Sequence, residues 1–244
     1  MKKIISILLG ICLCGGVVAQ TQLKIISFNI HAGYDAPIAD IAAFIKEQDP
    51  DIVALQEVEY YTNRTGANTP RPINNNINML NELAYLTGMF YVTLEKCYGG
   101  KFGNAILSKH SFDETRRIML PCAAGTEQRN AAIADIKLPD GTEFSIVDTH
   151  IDMSKLDNGM SQIKEVNRIP QLGKHYIVAG DMNRRVGTAE INELSSVWTL
   201  ALSREFDHIG YYPANGWVVK ETKVFSDNQL SDHYPIMVTL EFVK

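Results

Sequence analysis

A series of short apolar runs, each ending on a polar residue, constrains this chain more than any other feature. Residues 23–30 are rich in β-formers (Ile25, Ile26, Phe28 and Ile30) and carry Asn29 near their end. Residues 51–56 (DIVALQ) lead directly into Glu57. FSIVDT leads to His150, YIVAG leads to Asp181 and Asn183, and Asp232 and His233 open the last run. Apolar runs of this length, bounded by turn residues, suit buried strands. Further strands are expected over residues 91–94, 103–108, 129–138, 143–148, 176–179, 217–224 and 233–242. Between the runs lie stretches with helical spacing. Ile38, Ile41, Ala42 and Ile45 share one helical face, with Asp35 as the expected cap and Pro37 in the first turn. Helices are also expected over residues 77–86, stopped by Gly88, and over much of 155–169, ended by Pro170. Strands interrupted by helices give a layered α/β domain; the pattern alone does not fix the topology.

Residues 1–19 read as an address. Lys2 and Lys3 precede an apolar run from Ile4 to Leu13, and Val17 and Ala19 occupy the −3 and −1 positions of a signal-peptidase site. A secretory signal peptide cleaved after Ala19 leaves Gln20 first, which implies a secreted or periplasmic protein. The run is too short to cross a hydrocarbon core of about 30 Å comfortably. Cys12 and Cys14 lack the small residue that normally precedes a lipidated cysteine. Residues 20–244 are enough for one catalytic domain with a single core. Loss of the two leader lysines takes the formal net charge from −5 to −7. That argues against a protein that coats nucleic acid, although a local basic groove stays open. Cys97 and Cys122 remain, and an oxidising compartment allows a disulfide between them. No CxxC or paired Cys/His spacing points to zinc.

A single strand-end Asp or Asn is ordinarily a turn former, and a single His a hydrogen-bonded structural residue. The joint occurrence of carboxylates, amides and two histidines at strand ends points instead to a site, because loops converge there. The set suits a hard cation, Mg²⁺ or Mn²⁺, which takes oxygen ligands and usually one or two protein carboxylates. Glu57 and Asp232 are candidate ligands, with Asn29 beside them. Asn183 can orient water or a phosphate oxygen, His150 and His233 can move a proton near neutral pH, and Arg129 can grip phosphate through paired N–H groups.

The ordered motifs SFNIH, DIVALQEV, GNAILS, QRNA, VDTHID, VAGDMN, FDHI and SDHYPI resemble those of the endonuclease/exonuclease/phosphatase family, the deoxyribonuclease I-like enzymes. The likeness covers essentially all of residues 20–244. It implies a four-layer αββα sandwich of two mixed β-sheets flanked by helices, with the site at one edge of the packed sheets. It implies roles as well. Glu57 matches the metal-binding glutamate of LQE, with Asn29 and Asp232 beside the metal. His150 matches the histidine that binds phosphate or protonates the leaving oxygen. Asp181 and Asn183 match the GDxN pair that orients water and phosphate. Asp207 matches the partner of the last histidine, His233. Arg129 sits like a phosphate-contacting arginine. Some members carry a carboxylate on the GNAILS strand to orient the first histidine; this chain has Asn104, which joins Arg129 among the substrate-binding candidates. The implied reaction is in-line attack by water on phosphorus, with His233 as the first candidate for the base and Asp181 as the rival.

The substrate stays open at this level. Residues 61–76 (YTNRTGANTPRPINNN) form a long polar stretch just after Glu57. Arg64 and Arg71 within it can bind a second anionic or polar part of a compact substrate. The acidic mature chain favours a small phosphoester or a lipid head group over a long nucleic-acid footprint, and the lack of an evident apolar hairpin for membrane insertion weighs against a sphingomyelinase. A secreted deoxyribonuclease I-like endonuclease is the alternative. A catalytically silent binding protein on the same fold is the alternative of another class, disfavoured because every expected site residue is in place. The absence of a GxSxG elbow speaks against a serine hydrolase.

Overall fold

The computed structural model describes residues 21–60, 78–97 and 101–243. The leader, Arg64 and Arg71 lie outside the described residues, as does the side chain of Cys97. Twelve strands and four α-helices make up the described chain. In order they are β1 (Gln22–Asn29), α1 (Ile38–Gln48), β2 (Ile52–Tyr60), α2 (Met79–Thr87), β3 (Phe90–Cys97), β4 (Lys101–Ser108), β5 (Glu114–Met119), β6 (Asn130–Lys137), β7 (Glu143–His150), α3 (Leu156–Val166), β8 (Tyr176–Asp181), α4 (Ala189–Leu194), β9 (Thr199–Arg204), β10 (Asp207–Tyr212), β11 (Trp217–Val224) and β12 (Ile236–Phe242). One sheet runs β11-β12-β1-β2-β4-β3 and the other β5-β6-β7-β8-β10-β9. Each holds one parallel pair, β1 with β2 and β7 with β8, among antiparallel neighbours.

Period-two alternation builds the layers. Ile25 of β1, Ile52 and Ala54 of β2, Ile146 of β7, Ile177 and Ala179 of β8 and Val238 of β12 point inward and fill the space between the sheets. The alternate residues point outward. Ile26, Phe28, Val53 and Leu55 meet Ile41 and Ile45 of α1 and Leu80 and Leu83 of α2. On the other sheet Ile133, Val147 and Val178 meet Ile163 and Val166 of α3 and Ile191 and Leu194 of α4. Each Ile or Leu so buried contributes about 1.5–3 kcal/mol relative to exposure. The result is the αββα sandwich that the motifs imply.

Two local expectations are corrected. Asp35 does not cap α1: Pro37 holds the cap position with no side-chain cap bond, and Asp35 bonds the His31 ring instead, at 2.7 Å. The last strand opens at Ile236, so Asp232 and His233 lie in the turn before it. Gly88 does end α2, in the left-handed conformation that its missing Cβ permits.

Candidate active site

The inward stripes turn polar at one end of the sandwich. In β1 the inward positions run Leu23, Ile25, Ser27, Asn29; in β7 they run Phe144, Ile146, Asp148, His150; in β8 they end at Asp181 and in β10 they begin at Asp207. The parallel pairs bring the C-terminal ends of β1, β2, β7 and β8 to this edge. The antiparallel strand β10 brings its N-terminus there, with Asp207 opposite Asp181 and His150 opposite the same residue on the other side. Residues distant in sequence therefore meet because they occupy the same end of the same inward stripe.

Asp181 is the hub. Its Oδ2 lies 3.2 Å from Asn29 Nδ2, 3.3 Å from His150 Nε2 and 3.7 Å from His233 Nε2. Its Oδ1 accepts the backbone N–H of Asn183 at 2.8 Å. Asn183, with φ at 50°, donates its side-chain N–H to the Ile151 carbonyl at 2.8 Å, which fixes the amide plane. The other ring nitrogen of His233, Nδ1, bonds Asp207 Oδ2 at 2.8 Å. Asn29 Nδ2 also reaches Glu57 Oε1 at 3.2 Å, while Asn29 Oδ1 accepts the His31 N–H at 3.0 Å. Asn29 thus braces two carboxylates with its N–H groups, and its oxygen is turned to the backbone.

The electrostatics follow from burial and crowding. Burial first, and then the charge of Asp207, push Asp181 up to about 7, against the pull of His233 and the N–H groups of Asn183 and Asn29. Burial also raises Asp207, opposed by its hydrogen bond to His233. Burial works against the His233 imidazolium. The Asp207 hydrogen bond and the charges of Asp207, Asp181 and Asp232 overcome it and hold the ring at about 9.

The donor set fits a hard divalent cation. Two carboxylates, Asp181 and Asp207, and the His233 ring lie within 4.8 Å of one another, and Glu57 adds a carboxylate on the shared Asn29 amide. Three carboxylates crowd one imidazolium, a surplus of negative charge that a cation relieves. Asp232 stands at the rim, half exposed, with Oδ1 3.5 Å from His31 Nδ1.

Arg129 lines a cavity of about 620 Å³ with Thr126, Glu127, Gln128, Asp152 and Ser154, the last two just beyond His150 in sequence. It is 7% exposed; Nη2 pairs with Glu127 at 3.0 Å, whereas the buried Nε and Nη1 have no hydrogen-bond partner among the described residues. Cys122, on the same wall, is a free exposed thiol. Asn104 is not at the mouth. It is buried beneath the site and donates to the backbone carbonyls of Asn130 and Asp148 at 3.2 and 3.4 Å. An inward position on β4, shared with Ile106, turns it toward the opposite sheet.

Three further residues escaped the sequence reading. His31 sits in a 3-10 turn with φ at 45° and pairs with Asp35 and Asp232; its only signal was the last letter of SFNIH. Gln56 and Asp148 are fully buried and bonded to each other at 2.7 Å; their signal was a polar residue on an inward stripe.

The profile of the family described as endonuclease/exonuclease/phosphatase matches residues 26–233. No curated protein sequence matches the chain. Among solved structures, a family protein from Bacteroides thetaiotaomicron superposes with a TM-score of 0.76 at 18% identity, covering 92% of this chain and 99% of its own. A mannosyl-6-phosphatase from Bacteroides thetaiotaomicron VPI-5482 gives 0.74 at 17% identity, over 90% and 100% of the two chains. The human Nocturnin catalytic domain, with a bound sulfate, gives 0.72 at 17% identity, over 91% and 94%.

Proposed function

The chain belongs to the endonuclease/exonuclease/phosphatase family, and from that premise we propose that it is an exported, divalent-metal-dependent hydrolase of compact phosphoesters. The observation that carries this reading is the convergence of Asn29, His150 and His233 on one oxygen of Asp181. A single acceptor at the meeting point of two histidines and an amide suits proton transfer from an attacking water.

In the proposed reaction the water oxygen bonds to phosphorus as the bond from phosphorus to the leaving oxygen breaks. Asp181, held at about 7, takes the proton from the water, since a base works best when its pKa lies near the working pH. His233, held at about 9 by Asp207, remains an imidazolium and donates to a phosphoryl oxygen. His150 supplies a proton to the leaving oxygen, and Asn183 orients the water. A divalent cation on Glu57, Mg²⁺ or Mn²⁺, would stabilise the charge that develops on the phosphoryl oxygens. This division of labour favours Asp181 over His233 as the base.

Compactness is supported by the pocket just beyond His150 in sequence, where Arg129 meets Thr126, Gln128 and Ser154 along with the carboxylates of Glu127 and Asp152. That lining suits a small polar phosphoester, and the mannosyl-6-phosphatase likeness is consistent with it. Export rests on the leader, which places the mature start at Gln20. A second reading, cleavage of nucleic acid, is favoured by one feature: an open ledge beside His233. There the Arg185 guanidinium lies 5.0 Å from the Phe206 ring centroid and that of Arg204 lies 5.5 Å from the Tyr234 centroid. Cations on aromatic rings are a platform for single strands. The test is a hydrolysis screen of the mature protein with Mg²⁺ or Mn²⁺ against hexose phosphates, inositol phosphates, sphingomyelin, bis-p-nitrophenyl phosphate and plasmid DNA. Fastest turnover is expected on a small phosphoester. DNA cleavage faster than every small ester, and falling steeply with salt, would give the second reading.

A further inference from the structure

Strand β2 departs from regular pairing at one point. Leu55 pairs with Ala105 and Val58 with Gly103, so Gln56 and Glu57 together face Asn104. This is a β-bulge, and Glu57 within it has φ at 58°. A regular strand would send residue 57 outward, to the helix side shared by Leu55; the bulge turns it toward Asn29. A non-glycine residue in that conformation persists only where its surroundings hold it.

What holds it comes from the other sheet. Gln56 Nε2 donates to Asp148 Oδ1 at 2.7 Å, and neither residue is exposed. Asn104 adds its bonds to the Asp148 and Asn130 carbonyls. Gln56 in the bulge and Asn104 facing it thus make two bonds to Asp148 of β7, and two residues beyond Asp148 that strand ends on His150. The layer is expensive for a purely structural seam, because a carboxyl between two sheets gives up its hydration for few hydrogen bonds. Burial pushes Asp148 well above the usual carboxylate range. Gln56 Oε1 and Asp148 Oδ2 are buried without a hydrogen-bond partner among the described residues.

We propose that Gln56 and Asp148 form a clasp across the two sheets that sets the positions of Glu57 and His150 together, so that metal binding and turnover depend on a bond neither substrate nor metal touches. Both are positioning residues. The proposal rests on the metal-dependent reading of the site, and the test separates the two.

Mn²⁺ binding by isothermal titration calorimetry is measured on the mature protein and on Gln56→Ala, Asp148→Ala, Asp148→Asn, Gln56→Leu and Glu57→Gln, alongside kcat, KM and Tm. Gln56→Ala and Asp148→Ala should each weaken Mn²⁺ binding and lower kcat by about 10–100-fold, the range for residues that support metal ligands. KM should stay within about threefold, since substrate contacts are not removed. The double variant should be no worse than the poorer single, because both remove one bond. Asp148→Asn should keep near wild-type values, since its amide oxygen accepts the same N–H. A structural seam alone would lower Tm and leave Mn²⁺ affinity unchanged, which overturns the clasp. If the alanine variants fail to fold, Gln56→Leu decides: it fills the volume without the bond, and wild-type Mn²⁺ affinity there overturns the proposal. Mn²⁺ binding that Glu57→Gln abolishes, with no phosphoester hydrolysed, would sink the proposed function and leave the calorimetric test of the clasp standing. No Mn²⁺ binding by the wild type would overturn both.

Discussion

His233 and Asp181 lie 3.7 Å apart and divide a proton between them in an unusual sense. The imidazole is held at about 9 and the carboxyl at about 7, so near neutral pH the histidine carries the proton. Both groups have folded values raised above their unfolded ones, and both therefore bind more protons in the folded state. For His233 the stabilising contribution is complete below about 6.5 and is lost as pH rises through about 9, on the order of 3 kcal/mol in all. For Asp181 the contribution is complete below about 4 and is lost by about 7. Metal-free protein should therefore lose stability steadily from pH 5 to 9, read from urea midpoints. In the metal-free protein, NMR titration of the His233 ring should give a midpoint near 9, and Asp207→Asn should move it down by about 2 pH units. A wild-type midpoint near 6.5 would contradict the dyad. These shifts were not legible in sequence. FDHI and SDHYPI named the two partners, but burial and the second carboxylate, which set the values, are tertiary facts.

At the scale of elements, the strands that read clearly are those with apolar inward stripes. β1, β2, β7, β8 and β12 all did, because both of their faces are covered. β5 (ETRRIM) did not: it is an edge strand with a largely solvated face, and its charges hide the alternation. β10 (DHIGYY) and the six-residue α4 were missed too, the first because its apolar pattern is broken by Gly210, the second because it is too short to show periodicity. The bulge that aims Glu57 leaves no mark in DIVALQEV, since it is a matter of register against β4. Gly180 is a clearer signal. Its φ is 150°, and a Cβ there would lie 1.9 Å from the Thr149 carbonyl oxygen, so β8 can approach β7 only with glycine before Asp181. Gly180→Ala should cost more than about 2 kcal/mol by chemical denaturation, since the clash is with backbone. A loss within about 0.5 kcal/mol would show that the two strands have slack here.

On the scale of the whole molecule, two sheets with two helices on each outer face leave one edge at which five strands present polar ends. The order of the motifs gave the fold and the identity of this edge, because each motif is a strand end. It did not give the flanks. The Arg129 cavity and the Arg185–Arg204 ledge are built from segments that meet only in three dimensions. Arg64 and Arg71, expected beside the metal, lie outside the described residues. No helix among the described residues is long and apolar enough to cross a membrane. The proposed function makes this edge a metal-dependent hydrolytic site organised by Glu57 and Asp181. The most direct measurement is the rate of hydrolysis of the best small phosphoester by mature wild-type protein and Glu57→Gln, each with Mg²⁺ and with excess EDTA. Wild-type turnover should vanish in EDTA and return with Mg²⁺, and Glu57→Gln should be slower by at least about 100-fold while folded by circular dichroism. Full turnover in EDTA, or a Glu57→Gln protein as fast as wild type, would contradict the account.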